Sequence, residues 1–324
     1  MKRNHFLYLS RQQIESLEVT MQEVIDSLEK MFVEMGNGRV EMPPKPGIHP
    51  RPDAFIHAMP AYIPSMNAVG MKWVSGYPEN WRLGFNYING LLILNEVNTG
   101  IPTAVMDCTW ITAVRTGAAT ALSAKYLARK ESSTVGIIAC GVQGRSNLEA
   151  LACIFPLQKV KAYDLVPEVA NNFADEMEKR LEIEIEVVDH VKDAVAGLDM
   201  VVTSGPILKN PKPTIQPGWL QEGAFASLVD FDSYWTGAAQ AEADKIATDD
   251  ISQMEYYRGA GYFQQTPRAY ADLGEIIAGK VPGRESANER ILGVNLGIAL
   301  EDIATASLIY QRAREQHIGT YLPL

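Results

Sequence analysis

The chain has 324 residues, long enough for two domains each with its own core. It is 47% hydrophobic and 21% charged with a net charge of -10, which argues against a nucleic-acid backbone or an anionic membrane as main partner but leaves room for a small anionic substrate held by a few local cations. Cys108, Cys140 and Cys153 form neither a disulfide framework nor a zinc pattern and fit a reducing cytosol; no segment has the roughly 18 apolar residues of a membrane span, and the basic start MKRNHFLYLS lacks the apolar run of a signal peptide.

In chain order, TMQEVIDSLEKMFVEMGNG reads as a helix. Thr20 and Glu23 form a capping box, Val24, Leu28, Met31, Phe32 and Met35 recur at helical spacing, and Gly36 is a natural stop. MPPKPGIHPRP, Met42 to Pro52, is too rich in proline for a helix interior or a central strand, so an extended or edge segment is expected. AFIHAMPAYI, AVGMKWVSGY and GLLILNEVNTGIPTAVMD read as strands, the last split into a hairpin at Asn98-Thr99-Gly100. A helix, TWITAVRTGAATALSAKYLAR, follows.

From Ser132 the text alternates. TVGIIA is a buried parallel strand, GRSNLEALACIF a helix, KVKAYD a strand and VPEVANNFADEMEKRL a helix; IEIEVVD, DMVVTSG, GAFASLVD and DKIATDD are further strands. This is the βαβ rhythm of a doubly wound sheet. The tail GVNLGIALEDIATASLIYQRAREQ reads as one long helix with Leu296, Leu300, Ile303 and Tyr310 on its buried face.

The stretch VGIIACGVQGRSNLEAL is a dinucleotide-binding turn with alanine, Ala139, where the first glycine of G-x-G-x-x-G belongs. Gly141 lets the backbone approach a pyrophosphate, and Gly144 allows close packing of helix on strand. Alanine is tolerable at the first position if its φ stays negative. The motif also calls for an acid about 20 residues further on to bind the ribose hydroxyls. Asp164, at the end of the next strand, meets that spacing counted from Gly144.

The whole chain resembles the ornithine cyclodeaminase/μ-crystallin family of NAD(P)-dependent enzymes. The resemblance rests on MPPKPGIH, MPAYI, VGMKWVSGYPEN, GLLILNEVNTGIPTAVMD, ITAVRTGAATALSAKYLAR, IIACGVQGR, AGKVPGR and GIALEDIATA. It implies an α/β fold: a Rossmann doubly wound domain, residues 116–299, inserted into an α+β substrate and dimerisation domain, residues 1–115 completed by about 300–324. It further implies a homodimer; a cytoplasmic location is expected from the cysteines and the N-terminus, and no metal site is expected.

Carried over residue by residue, Arg115 in ITAVRTGAAT matches the arginine that clamps the substrate α-carboxylate, for which a planar fork is suited. Lys72 in VGMKWV matches the substrate-contacting lysine, in apolar text where an unpaired ammonium is costly; the bland alternative is a snorkelling surface lysine. Lys45 stands where many members have an arginine facing the same carboxylate. Thr116, Gly141, Val142, Gln143 and Gly144, with Thr203 and Ser204 at the end of the DMVVTSG strand, fall at cofactor-binding positions, and Asp164 favours NADH over NADPH.

The sequence departs from the family pattern in three places. His57 stands where the ornithine-specific branch has a glutamate for the substrate's distal ammonium; it is either a reader of a neutral or acidic side chain or a structural histidine. The aspartate of a G-G-D-like turn aligns with Asp232 in SLVDFDSYW, with Asp230 close enough to compete. Asn295 replaces a substrate-side serine. The resemblance therefore implies an oxidoreductase of amino-acid metabolism, an imine reductase or amino-acid dehydrogenase with Lys72 or Asp232 moving the proton. Iminosuccinate giving aspartate and pyruvate imine giving alanine are the candidate reactions. Cyclodeamination of the ornithine type, with NAD recycled, is the alternative. A non-catalytic cofactor-binding protein is a third reading, opposed by the cost of retaining buried unpaired cations.

Overall fold

The structure, a computed structural model, describes residues 5–324. Lys2 and Arg3, the basic residues at the start of the sequence, lie outside the described residues. In chain order the helices and strands are β1 (His5–Leu9), α1 (Arg11–Glu15), α2 (Met21–Gly36), β2 (Gly47–Ile48), β3 (Phe55–Ile63), β4 (Ala68–Gly76), β5 (Ile88–Asn95), β6 (Pro102–Asp107), α3 (Thr109–Leu127), β7 (Thr134–Ile138), α4 (Val142–Ile154), β8 (Lys159–Tyr163), α5 (Pro167–Leu181), β9 (Glu184–Val187), β10 (Met200–Thr203), β11 (Phe225–Leu228), α6 (Gly237–Gln240), β12 (Lys245–Thr248), α7 (Ile251–Gly259), β13 (Ala271–Asp272), α8 (Leu273–Ile277), β14 (Ile291–Val294), α9 (Ala299–Glu315) and β15 (Thr320–Pro323). The chain divides into two compact units, Met1–Arg115 with Ile298–Leu324 and Thr116–Gly297.

In the first unit the described strands form a mixed sheet in the order β15-β1-β6-β5-β4-β3-β2. The proline-rich segment supplies its edge strand β2, and the Asn98-Thr99-Gly100 turn joins β5 to β6, with Gly100 at a φ of 71° that favours glycine. Helix α2 starts as its capping box predicts: the Thr20 hydroxyl accepts the Glu23 N–H at 3.3 Å and the Glu23 carboxylate accepts the Thr20 N–H at 2.8 Å. One face of the sheet, including Met59, Ala61, Lys72, Val74, Leu92 and Leu94, is buried. Helix α9 packs onto it at Gly70, where an added Cβ would lie 2.2 Å from the Ile93 carbonyl oxygen and 3.1 Å from Ile303 Cδ1.

Strands β1 and β15 carry no strand signal in the sequence. HFLYL is a short apolar run without alternation, and TYLP is a fully exposed edge that only its pairing with β1 makes a strand. The tail also differs from the single helix expected. Residues Ile291–Val294 form β14 between β11 and β12, Gly297 sits at a φ of 74°, and the helix begins only at Ala299. Leu296 is therefore buried ahead of the helix rather than on it.

In the second unit the described strands are all parallel, in the order β13-β12-β14-β11-β10-β7-β8-β9. Apolar clusters cover both faces: Leu148, Leu151, Phe173 and Met177 from α4 and α5 on one, Met254 and Tyr257 from α7 with Trp235 on the other. The strand order reverses between β7 and β10, and ligands of such sheets bind at the carboxyl ends of the strands flanking that point.

Candidate functional site

The dinucleotide turn leaves β7 at Ile138 and enters α4 at Val142. Ala139 adopts a φ of 71°, so the expectation of a negative φ is overturned: the alanine takes the left-handed conformation of the glycine it replaces. Neighbours fix it there. Its N–H donates to the Tyr163 carbonyl at 2.9 Å, and its carbonyl accepts the Ser204 hydroxyl at 2.9 Å. The next N–H, of Cys140, donates to Asp164 at 2.8 Å, and Asp164 also accepts the Val166 N–H at 3.0 Å.

The two glycines have different surroundings. An added Cβ on Gly144 would lie 2.6 Å from the Ala139 carbonyl oxygen, so this glycine is needed for helix α4 to approach β7. At Gly141 a Cβ would meet nothing within 4 Å, and no side chain caps the helix that follows. A helix N-terminus left open beside a bare glycine, with a carboxylate at the end of the second strand, fits a dinucleotide: pyrophosphate at Val142, Gln143 and Gly144, ribose at Asp164. Thr116 is buried beside Gly117, where a Cβ would lie 2.4 Å from the Ser146 carbonyl oxygen of α4.

Across the switch point, Thr203 Oγ1 donates to Asp230 at 2.9 Å and accepts the Trp235 indole N–H at 3.3 Å. Asp230 also accepts the Gly205 N–H at 3.0 Å and is fully buried, which raises its carboxyl pKa to about 7. Phe231, at a φ of 62°, drives its ring among Tyr257, Tyr262 and Phe263, the first at 5.1 Å between centroids. The turn sends the two aspartates different ways. Asp230 braces the Thr203–Gly205 turn, whereas Asp232 is half-buried and accepts the Phe263 N–H at 3.0 Å, its pKa raised by burial. Asn295 engages its amide within this unit, accepting from Ser123 at 3.0 Å and donating to Ser227 at 2.9 Å. Both ends of the amide are thereby satisfied inside the unit.

The cationic residues lie in the first unit. Lys72 projects from the buried face of β4, 1% exposed, so the snorkelling alternative is excluded. It is not unpaired: Nζ lies 2.7 Å from each carboxylate oxygen of Asp302 on α9 and 3.4 Å from the Thr112 hydroxyl. Arg115 donates Nε to Asp302 at 3.0 Å and Nη1 to Glu301 at 2.8 Å. The premise that buried cations lacked counterions is therefore corrected; the Glu301–Asp302 pair supplies them. Burial pushes the Lys72 pKa down, the Asp302 carboxylate opposes that shift, and the Arg115 guanidinium adds to it.

His57, on β3, is stacked on Phe55 with ring centroids 4.3 Å apart, and its ring lies against Gly47, where a Cβ would fall 2.1 Å from Cδ2. Burial first, then the charges of Lys45, His49 and Lys72, lower its pKa to about 3. The histidine is neutral near pH 7. Lys45, buried as well, is the larger of the two influences that reach it from the proline-rich segment.

Sequence reading missed Glu301 and Asp302 as site residues. Their signal was present: two adjacent acids inside otherwise apolar helical text, GIALEDIATA, where buried carboxylates need cationic partners. Among the described residues no group of three or more His, Cys, Asp and Glu side chains could hold a metal ion, and no helix is long and apolar enough to cross a membrane.

Fold and site define a dinucleotide-binding parallel-sheet unit accompanied by a sheet unit with a buried cluster of paired cations. The chain belongs to the Ornithine cyclodeaminase/mu-crystallin family, whose profile matches residues 5–317. It is 34% identical to an alanine dehydrogenase of Archaeoglobus fulgidus over 97% of each chain. Among solved structures, it resembles Thermococcus litoralis Δ1-pyrroline-2-carboxylate reductase in complex with NADH and L-proline at a TM-score of 0.88, with 35% identity and 97% and 99% of the two chains covered. An archaeal alanine dehydrogenase dimer with bound NAD matches at a TM-score of 0.89, with 33% identity and 99% of each chain covered.

Proposed function

We propose that the protein is an NAD-dependent reductase of small, neutral α-imino acids, acting on pyruvate imine or on a cyclic imine such as Δ1-pyrroline-2-carboxylate. The observation that carries this reading is the buried Arg115–Asp302–Lys72 chain of contacts. It presents a guanidinium for an α-carboxylate and an ammonium for the neighbouring nitrogen. The relatives at 33–35% identity that act on alanine or on pyrroline-2-carboxylate support the same class.

When bound, NADH supplies a hydride to the imine carbon. The remaining work is the chain's own. Arg115, oriented by Glu301 and Asp302, holds the carboxylate, and Lys45 adds a second positive charge. The C=N π electrons take a proton from the Lys72 ammonium, so the imine becomes an amine and Lys72 becomes neutral until solvent reprotonates it. Of the two expected proton carriers we favour Lys72, because it shares a carboxylate with Arg115, whereas Asp232 belongs to the parallel-sheet unit.

His57 decides between side chains. A neutral ring stacked on Phe55 offers no charge to a second carboxylate, so iminosuccinate loses the support a protonated histidine would have given it. We also read the protein as a homodimer. The outer face of the first unit's sheet pairs Trp73 with Leu91, 46% and 44% exposed, flanked by Met71 and Ile93, and a second copy of that face is its occupant. Incubating the protein with NADH and either pyruvate plus ammonia, oxaloacetate plus ammonia, or Δ1-pyrroline-2-carboxylate, and following absorbance, tests the reading. Oxidation with the first or third is expected; NADH unchanged with all three refutes it.

A further inference from the structure

We propose that Asp302 is a positioning residue for both site cations: its carboxylate fixes the Lys72 ammonium beside the Arg115 guanidinium and keeps Lys72 loaded with the proton that imine reduction consumes. The proposal rests on the reductase reading above.

The geometry is that of one anion shared by two cations. Both Asp302 oxygens lie 2.7 Å from Lys72 Nζ, and Oδ1 also accepts Arg115 Nε at 3.0 Å. Asp302 is fully buried and Lys72 nearly so, and the two come from different layers, helix α9 and strand β4. Glu301, one residue earlier and about 100° round the helix, takes Arg115 Nη1 at 2.8 Å, so Arg115 already has a counterion of its own. Stability alone does not account for the arrangement, because well-packed apolar side chains commonly serve a buried site as well as an ion pair or better.

The groups facing Lys72 come from α3, the residue just before it, β3 and α9. From α3 come Thr112, at 3.4 Å, and Arg115, whose charge favours loss of the lysine proton. Cys108, just before α3, has a thiol raised to about 11 by burial and is neutral near pH 7. His57 from β3 is neutral. Burial also favours the uncharged amine. Asp302 is the largest influence keeping the proton on, and without it burial and Arg115 are opposed only by the weaker effect of Cys108. During turnover the proton passes from Nζ to the imine nitrogen, an N–H bond breaking at one and forming at the other. The neutral amine left beside Asp302 then recovers its proton from water.

The test is the pH profile of kcat/KM for NADH-dependent reduction of Δ1-pyrroline-2-carboxylate, a substrate that avoids the titration of ammonia. Asp302→Asn, which keeps shape and removes charge, is expected to move the alkaline limb to lower pH by at least about one unit, a loss of about tenfold above the new limb. Lys72→Arg preserves the pair but cannot release a proton, and its alkaline limb should disappear. An Asp302→Asn limb at the wild-type pH, with only a uniform fall in rate, overturns the proposal and leaves Asp302 a structural residue. If that variant does not fold, an alkaline limb persisting in Lys72→Arg overturns it. A wild-type protein that reduces no imino acid defeats the reductase reading and this proposal with it, whereas an active wild type with unmoved limbs defeats this proposal alone.

Discussion

Lys72 and Asp302, 230 positions apart in the chain, meet with the ammonium nitrogen 2.7 Å from both carboxylate oxygens. Their contact ties the middle of the sheet to the C-terminal helix, and Arg115 completes it through the same carboxylate. Deleting a cation from this cluster takes a partner from a buried anion. Arg115→Ala should therefore destabilise the protein by about 3–5 kcal/mol, because Glu301 and Asp302 lose a partner in a buried place. Arg115→Lys is the cleaner probe. It keeps the charge and loses the fork, so kcat/KM should fall by about 10- to 100-fold, roughly 1.4–2.7 kcal/mol, while NADH binding measured by fluorescence is unchanged. Undiminished turnover in Arg115→Lys would remove Arg115 from carboxylate binding.

Gly141 and Gly144 allow the proposed cofactor contact to be tested apart from packing. Gly141 has a φ of -79°, which alanine adopts freely, and a Cβ there meets no protein atom within 4 Å. Gly141→Ala should leave the melting temperature unchanged and weaken NADH by at least about tenfold, the added methyl intruding where the pyrophosphate approaches. Gly144→Ala should lower both, since its Cβ would sit 2.6 Å from the Ala139 carbonyl oxygen. Equal NADH affinity in Gly141→Ala and wild type would mean that this turn does not hold the pyrophosphate.

The parallel unit was legible in the sequence because its strands are buried apolar runs bounded by turns, and because the glycines and Asp164 stand at fixed offsets along a continuous stretch. The conformation of Ala139 was not legible. Alanine rarely takes a positive φ, and what fixes it there comes from Tyr163 and Ser204, which a local reading does not bring to it. Arg115 and Lys72 were visible through the family motifs, whereas their counterions lie far along the chain and emerge only when α9 crosses the sheet. The two short strands at the ends of the chain depend on each other for pairing and carry no pattern of their own.

His57 gives a pH signature. Its pKa is about 3 in the folded protein against an ordinary value near 6.5. The unfolded chain therefore binds the extra proton between these values and the folded one does not. Stability from this group is complete above about pH 6.5 and is lost as pH falls toward 3. His57→Gln should remove that slope, so its melting temperature should fall less than the wild type's between pH 6.5 and 4.5. Parallel curves for the two proteins would show that His57 titrates normally. His57→Glu should also favour ornithine over a neutral imino acid, because it places an anion where a neutral ring stands.

Trp73 and Leu91 are directly paired on the outer face of the antiparallel strands, with Met71 opposite Ile93 alongside. A tryptophan on an apolar sheet face is a strong candidate to anchor a subunit interface. Trp73→Glu should shift the protein from dimer to monomer in sedimentation at micromolar concentration. A monomeric wild type, or a variant still dimeric, would place the subunit contact elsewhere or abolish it.

We propose that Asp164 sets the choice of cofactor. Each of its oxygens accepts one backbone N–H, from Cys140 at 2.8 Å and from Val166 at 3.0 Å. A carboxylate has about four acceptor sites, so two remain for the ribose 2′- and 3′-hydroxyls. In NADP the 2′-oxygen bears a phosphate, and that anion would face the carboxylate at close range. The residues that follow, LVPEVANN, provide no arginine, and Glu168 adds to the repulsion. Arg145, in the first turn of α4, is directed to the Cys140 carbonyl and, through Nε at 2.7 Å, to Glu176. The protein should therefore prefer NADH to NADPH by at least about tenfold, roughly 1.4 kcal/mol. Asp164→Ser should narrow the gap from both sides, relieving the repulsion and giving up the ribose contact. It should also lower activity with NADH beyond the lost ribose bonds, because the Cys140 N–H that helps hold Ala139 in its left-handed conformation loses its acceptor. Steady-state kinetics with both cofactors decide the matter: equal or better efficiency with NADPH in the unmodified protein would show that Asp164 braces the turn and does not reach the ribose.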